Sequence, residues 1–171
     1  TSFFATTSSP LTPLRVKNIA LGNWTVTYDG GLARQIAELR AERLPHETGG
    51  VLLGITDTSR RSIHIVTALP APHDSSGSVT AFERGVAGLV ATVEQAAARS
   101  LHQVKYVGEW HSHPRGSSTL PSVTDIKQLC WLTEELEAEG VPALMAIAGD
   151  DGQLSVILAG RDIFTPAGEA A

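Results

Sequence analysis

The sequence predicts an α/β protein in which a mixed β-sheet is layered with helices on both faces. Short strand-like runs alternate with segments whose apolar residues recur at helical spacing, and strands separated by helices are typical of layered sheets. The chain has 171 residues, of which 42% are hydrophobic and 18% charged. This length and composition are ordinary for one globular domain with one core. No internal repeat is visible.

Two short strands open the folded region, at residues 14–21 and 24–28, because a turn signal at Gly22 separates two strand-like runs. Apolar residues then recur at helical spacing, at Leu32, Ile36 and Leu39. This spacing predicts an amphipathic helix over residues 31–43 that ends before Pro45.

The rest of the chain continues this alternation. Further strands are predicted at residues 51–55, 63–69, 103–110, 143–148 and 154–158. Further helices are predicted at residues 86–99, which are rich in alanine, and at 122–139. A polar loop lies over residues 71–80. Its adjacent His73 and Asp74 would point apart, which argues against a second metal site there.

The two ends of the chain are predicted to lie outside the folded domain. Residues 1–13 are rich in Thr, Ser and Pro, which is typical of a linker, whereas residues 14–162 form the domain and 163–171 a C-terminal tail. Because the chain begins with Thr1, we expect this domain to follow another one in a longer protein.

Charge and hydropathy argue against several classes of protein. The formal net charge of −5 and the lack of a basic run argue against a nucleic-acid binder. No apolar stretch is long enough to cross a membrane, and no signal-peptide pattern is present. Cys130 is the only cysteine, so it cannot form an internal disulfide, and a reducing cytoplasm is the expected compartment.

The strongest functional signal is the pairing of WHSHP at residues 110–114 with PSVTD at residues 121–125. His111 and His113 stand at i and i+2 on an extended segment, so both imidazoles point to the same side and can reach one cation. Asp125, a short loop later, can supply a third ligand. Three protein ligands leave a fourth position open for water, which is the arrangement of a catalytic rather than a structural zinc.

Each piece of this motif also has a simpler interpretation. A His-x-His pair is often a surface feature, and Glu47 alone would be a solvated loop residue. Ser122 is followed three residues later by Asp125 and then by apolar residues, a pattern that is typical of a helix N-cap with its capping box. The last interpretation is compatible with metal binding, because an aspartate in the first helical turn has a fixed direction.

Signatures of other catalytic classes are absent from the sequence. It contains no His-Glu-x-x-His helix of the thermolysin type and no Pro-Cys-x-x-Cys of a zinc deaminase. Nor does it contain a Gly-x-Ser-x-Gly nucleophile elbow or a Walker-type phosphate loop.

The order of these residues resembles that of the JAMM (MPN-plus) zinc metalloproteases, whose signature is a distant Glu, His-Ser/Thr-His, a loop and Ser-x-x-Asp. HETGGVLLG at residues 46–54 resembles the prokaryotic form of the glutamate segment, and GEWHSHP at 108–114 resembles its ligand segment. The resemblance spans about residues 24–160. Residues 114–124 make the loop one residue longer than the family's usual spacing, and we place the extra residue within 115–120.

The resemblance implies a three-layer α/β/α, cytidine-deaminase-like fold and a role for each matched residue. His111, His113 and Asp125 would hold one Zn²⁺. Glu47 would take a proton from the attacking water and pass it to the leaving amine. Ser122 would donate a hydrogen bond to the developing oxyanion.

The resemblance also implies the substrate class. Family members commonly cleave after the C-terminal glycine of ubiquitin or a ubiquitin-like protein, and prokaryotic forms accompany conjugation systems that include antiphage defence operons. The expected partners are a ubiquitin-like protein or its conjugates, with activating and conjugating enzymes that are fused to the protein or encoded in its operon. Two alternatives stay open: C-terminal processing of a ubiquitin-like or sulfur-carrier precursor, and a catalytically silent MPN-type scaffold.

Residues around the motif have mostly structural interpretations. Cys130 is expected to be a buried small hydrophobe, and Trp110 and Trp131 are expected in the core. In the family, segments inserted near residues 71–80 help to grip the substrate. Phe82 and Arg84 could do so here, although a buried phenylalanine and a solvated arginine are the simpler expectation.

Overall fold

A computed structural model describes residues 15–160 and the backbone of residues 163–166. The linker predicted at residues 1–13 lies outside the described residues. The predicted tail, residues 163–171, is described only in part, and that part forms a strand. The sheet therefore extends past residue 162, where the sequence placed the end of the domain.

The elements alternate along the chain as predicted, with two additions, a small hairpin and a last strand. The strands are β1 (Val16–Leu21), β2 (Trp24–Asp29), β3 (Gly49–Asp57), β4 (Ser62–Ala68), β5 (Ser76–Gly77), β6 (Phe82–Glu83), β7 (Lys105–Ser112), β8 (Ala143–Ala148), β9 (Leu154–Gly160) and β10 (Ile163–Pro166). The helices are α1 (Gly30–Ala41), α2 (Leu89–Arg99) and α3 (Val123–Leu136). The polar loop predicted at residues 71–80 contains β5 and leads into β6, a small hairpin that the sequence did not predict.

Eight strands form one mixed sheet in the order β1-β2-β4-β3-β7-β8-β9-β10. The β7–β8 and β2–β4 pairs are parallel, and the other neighbours are antiparallel. Strands β5 and β6 pair only with each other. The mixed sheet confirms the predicted fold class, and it places β3 and β7 side by side at its centre.

Strand β8 shows why the fold has three layers. Its side chains are all buried and alternate between two cores. Leu144 and Ala146 belong to a core that includes Leu32 and Ile36 of α1. Ala143, Met145 and Ile147 belong to a second core together with two leucines of α3, Leu129 and Leu132. Helices α1 and α3 therefore cover opposite faces of the sheet.

The helix ends follow local capping chemistry. The Asp29 carboxylate accepts hydrogen bonds from the Gly31 and Leu32 amides and so begins α1, close to the predicted start. Helix α2 buries none of its residues fully and contacts β7.

In the part of the chain that the structure describes, no helix is both long and apolar enough to span a membrane.

Candidate metal centre

Strand pairing brings the two distant halves of the predicted motif together. In the antiparallel β3–β7 pair, Gly49 lies opposite His111, so the residues just before β3 run beside the end of β7. The Ser112 amide donates to the Thr48 carbonyl over 2.7 Å, and the Thr48 amide donates to the Ser112 hydroxyl over 3.1 Å. This double contact holds Glu47, the residue before Thr48, next to the histidine segment.

The approach of the two strands requires glycine at position 49. A Cβ atom there would overlap the carbonyl oxygen of Trp110 and come within 2.9 Å of the His111 Cβ. Glycine is the residue that permits such close backbone contact. The glycine that follows Glu47 and Thr48 is therefore explained by the geometry of the site.

Helix α3 supplies the third residue of the cluster from its first turn. Ser122 is the N-cap, and its hydroxyl accepts a hydrogen bond from the Asp125 amide over 3.2 Å. The Asp125 carboxylate in turn accepts from the Ser122 amide over 2.6 Å, which completes a capping box. The predicted cap is present, and the same aspartate faces the two histidines.

The three predicted ligands meet at one point. His111 Nε2 lies 3.3 Å from His113 Nε2 and 3.1 Å from one Asp125 oxygen, and His113 Nε2 lies 3.4 Å from the other oxygen. A tetrahedral zinc with bonds of about 2.0–2.1 Å spaces its ligand atoms by about 3.3 Å. The donor set and its spacing therefore fit a single metal ion. Within the described residues, this is the one His/Cys/Asp/Glu group with such geometry, and His73 and Asp74 are not part of it.

Contacts around the cluster set the state of its groups. Burial alone would raise the pKa of Asp125, but hydrogen bonds from the two imidazoles hold it far below its usual range. The hydrogen bond to Asp125 raises the pKa of His113. His113 Nδ1 lies 2.5 Å from the Ser118 carbonyl oxygen and donates to it, and Nε2, the other ring nitrogen, faces the cluster.

The loop between His113 and Asp125 is held by three contacts outside the motif. Gly116 donates its amide to Asp150 over 2.7 Å, and the buried Thr119 hydroxyl lies 2.7 Å from that of Ser155. Arg40 of α1 donates twice to the His113 carbonyl oxygen, over 3.1 and 3.0 Å, and pairs with Asp150 over 2.8 Å. Although the loop is one residue longer than usual, the three predicted ligand residues lie together.

Arg40 was not predicted as a site residue, because its helix lies more than seventy positions from His113 in sequence. Replacing the buried Arg40 by Met should lower the free energy of unfolding by about 1–3 kcal/mol, since the His113 carbonyl loses its donors. Urea unfolding would measure this loss, with the exposed Arg34 of the same helix replaced by Met as the control. Equal stability of the two variants would contradict this role.

Glu47 lines the same pocket as the three clustered residues but does not belong to their group. Its side chain is half-buried. Burial raises the pKa of Glu47, whereas positive charge on His111 and His113 would lower it. A carboxylate that is close to a metal site, is not a ligand and has a raised pKa is suited to accept a proton near neutral pH.

Ser122 is exposed and lines this pocket. Its hydroxyl oxygen accepts from the Asp125 amide, and among the described residues the hydroxyl proton has no acceptor. The hydroxyl can therefore donate to an oxygen atom of a bound substrate.

The pocket has a volume of about 510 Å³ and opens to solvent. Its walls come from Glu47, the β5–β6 hairpin, the end of β7, the loop after His113 and α3. Among the lining residues are Thr80, Phe82, Arg84, Glu109, Gln128 and Trp131.

Several structural expectations for these surroundings were wrong. Trp131 is 55% exposed, and Cys130 is also exposed, because α3 buries Asp125, Leu129 and Leu132 instead. Arg84 is not solvated but pairs with Glu109 over 2.7 Å. Trp110 is buried as predicted, and its indole nitrogen donates to the Leu69 carbonyl over 2.8 Å. Phe82 is only half-buried.

Comparisons with known proteins agree with this geometry. A family model described as prokaryotic homologs of the JAB domain matches residues 30–160. The chain is 34% identical over 147 residues to a protein of Enterobacter hormaechei subsp. hoffmannii named CD-NTase/cGAS isopeptidase, covering 86% of this chain and 78% of that protein. The solution structure of a protein from Desulfitobacterium hafniense superimposes with a TM-score of 0.55 at 16% identity, over 82% of this chain and 88% of that one, and thus shares the fold. The chain therefore belongs to the prokaryotic JAB family, which confirms the JAMM/MPN resemblance.

Proposed function

We propose that this protein is a zinc-dependent isopeptidase that releases a ubiquitin-like protein, or a protein conjugated in the same way, from its target. The observation that carries the proposal is the group of His111, His113 and Asp125, with the non-ligand carboxylate of Glu47 in the same pocket. The name of the Enterobacter relative supports an isopeptide bond as the one that is cut. It also supports a setting in a bacterial conjugation system, such as one for antiphage defence.

The donor set favours zinc over the harder cations. Two imidazoles and one carboxylate suit Zn²⁺, whereas Mg²⁺ and Ca²⁺ prefer oxygen ligands throughout. When bound, such an ion would lower the pKa of a water molecule to roughly 7 and polarise the scissile carbonyl.

The protein's own groups would perform the proton transfers and hold the charge. Glu47 would accept the proton of the attacking water and deliver it to the nitrogen of the leaving lysine amine, so that the amine departs uncharged. The Ser122 hydroxyl would donate a hydrogen bond to the oxygen that becomes negative as the carbonyl is attacked. The Ser118 carbonyl oxygen, which accepts from His113 Nδ1, would keep the His113 ring in place.

One experiment separates this proposal from its alternatives. The metal-loaded protein is incubated with two substrates, a CD-NTase joined by its C-terminal carboxyl to a lysine of a target, and a CD-NTase with a peptide extension at its C-terminus. Intact-mass spectrometry then identifies the products. We expect the conjugate to be split into its two original proteins. Cleavage of the extended precursor alone would instead support precursor processing, and no cleavage of either by metal-loaded protein would support a silent scaffold.

A further inference from the structure

Glu109 is a buried carboxylate beside the metal centre that the proposed chemistry does not use. It is 4% exposed and precedes His111 by two positions on β7, so both side chains leave the same face of the strand. One oxygen accepts from Arg84 Nη2 over 2.7 Å, the other accepts from the side-chain amide of Gln128 on α3, and the carboxylate also bonds to the Tyr106 hydroxyl. Burying a charge is costly unless it is paired, so Glu109 depends on Arg84 for its place in the fold.

Arg84 is held in an arrangement that is not optimal for stability. It directly follows β6, and its Nη1 donates to the Gly85 carbonyl over 3.0 Å. Its Nε is buried and, among the described residues, has no hydrogen-bond partner. An unsatisfied buried donor costs stability, and such a cost in a native structure calls for an explanation.

The hairpin that ends at Arg84 also touches the segment of Glu47. The Glu47 amide donates to the Ser78 carbonyl over 2.7 Å. Gly77 lies so close that a Cβ atom there would overlap the Glu47 carbonyl oxygen, and the Phe82 ring lies against Gly49. A shift of the hairpin would therefore displace Glu47.

Few contacts hold this hairpin in place. Its strands have two residues each and pair only with each other. Within the described residues, two hydrogen bonds join residues 76–84 to the main sheet and to the segment just before β3. The Glu47 amide donates to the Ser78 carbonyl, and Arg84 donates to the Glu109 carboxylate.

We propose that Arg84 is a positioning residue of the peptidase site, which anchors the β5–β6 hairpin to β7 through Glu109 and thereby holds Glu47 at the metal centre. The proposal rests on the peptidase function proposed above. The Arg84–Glu109 salt bridge should therefore affect the turnover rate but not metal binding, because neither residue belongs to the ligand group.

The test compares Arg84→Met, Arg84→Lys and the double variant Arg84→Met/Glu109→Met with wild type, and Arg60→Met serves as the matched control. Arg60 is exposed and its ion pair with Asp57 lies at the surface, away from the pocket lining. The double variant removes both charges, so no buried charge is left unpaired, although Gln128 and Tyr106 lose a hydrogen-bond acceptor.

We expect the double variant to keep its zinc but to lose kcat by about tenfold or more, with a smaller change in KM, because a catalytic group displaced by about 1 Å can cost up to roughly 100-fold. Arg84→Lys should recover most of the rate, since it retains one donor to Glu109. A double variant with wild-type kcat, or one in which only KM changes, would overturn the proposal.

A second readout does not depend on peptidase activity. Hydrogen exchange of the Glu47 amide, which bonds to Ser78, should become at least about tenfold faster in the double variant and stay unchanged in Arg60→Met. Unchanged protection of that amide would overturn the proposal even if the protein cleaves its substrate. Faster exchange in a protein that cleaves no substrate would uphold the anchor while it refutes the proposed function.

Discussion

Replacing Glu47 by Gln is expected to lower the turnover of an isopeptide substrate by about 10²–10⁴-fold, the usual contribution of a general base. Glutamine has nearly the same shape and still accepts hydrogen bonds, but it cannot take a proton from water. Because Glu47 is outside the ligand group, the variant should bind the same amount of zinc as wild type. Single-turnover cleavage assays and metal analysis on the same preparation would measure both quantities.

Glu42→Gln is the matched control for this variant. Glu42 is an exposed glutamate at the end of α1, and it does not line the pocket. Its replacement should leave both turnover and zinc content unchanged. Near-normal turnover in Glu47→Gln would contradict the role of Glu47 as the base, and loss of zinc in that variant would show that it acts as a ligand instead.

The second large effect is expected for His113→Ala, which should lose both the metal and the activity. His113 contributes one of only two imidazoles, and two protein ligands rarely retain a catalytic zinc. The substitution would also remove the hydrogen bond from His113 Nδ1 to the Ser118 carbonyl oxygen, which orients the ring in the wild-type protein. Zinc measured after dialysis should fall from about one ion per chain to nearly none, and cleavage should fall below that of Glu47→Gln.

His64→Ala provides the control for this loss. His64 is an exposed histidine on β4 whose ring contacts Thr27, away from the pocket lining. This variant should bind zinc as wild type does. If His113→Ala retained stoichiometric zinc at the same site, His113 would not be a ligand.

Features that depend on neighbours in sequence could be predicted here. The N-cap of α3 was predicted from Ser122 and Asp125 alone, because a capping box lies within one helical turn. The shared direction of His111 and His113 follows from the period of a strand. The placement of Glu47 beside them came from the family resemblance, and the β3–β7 register provides its physical basis.

The orientation of α3 shows where such reasoning fails. Cys130 and Trp131 were expected to be buried, but the buried positions of α3 are Asp125, Leu129 and Leu132. The residues 125, 129 and 132 follow a helical stripe that includes a charged side chain. Because the site requires Asp125 to point inward, the helix turns Cys130 and Trp131 toward solvent.

Contacts between distant segments left no signal in the sequence. Arg84 and Glu109 are 25 positions apart, and Arg40 and His113 are 73 positions apart. Arg40, Arg84 and Glu109 each resemble an ordinary surface charge when they are read alone. The tertiary arrangement, which local patterns do not specify, brings them together: α1 packs on the main sheet and the β5–β6 hairpin lies against β7.

The most direct test of the proposed centre is a crystal structure of the zinc-loaded protein with anomalous diffraction data collected at the zinc edge. The expected result is one anomalous peak within about 2.0–2.2 Å of His111 Nε2, His113 Nε2 and an Asp125 oxygen, with Glu47 facing the open coordination position. A peak elsewhere, no peak at full zinc loading, or Glu47 as a direct ligand would contradict the account.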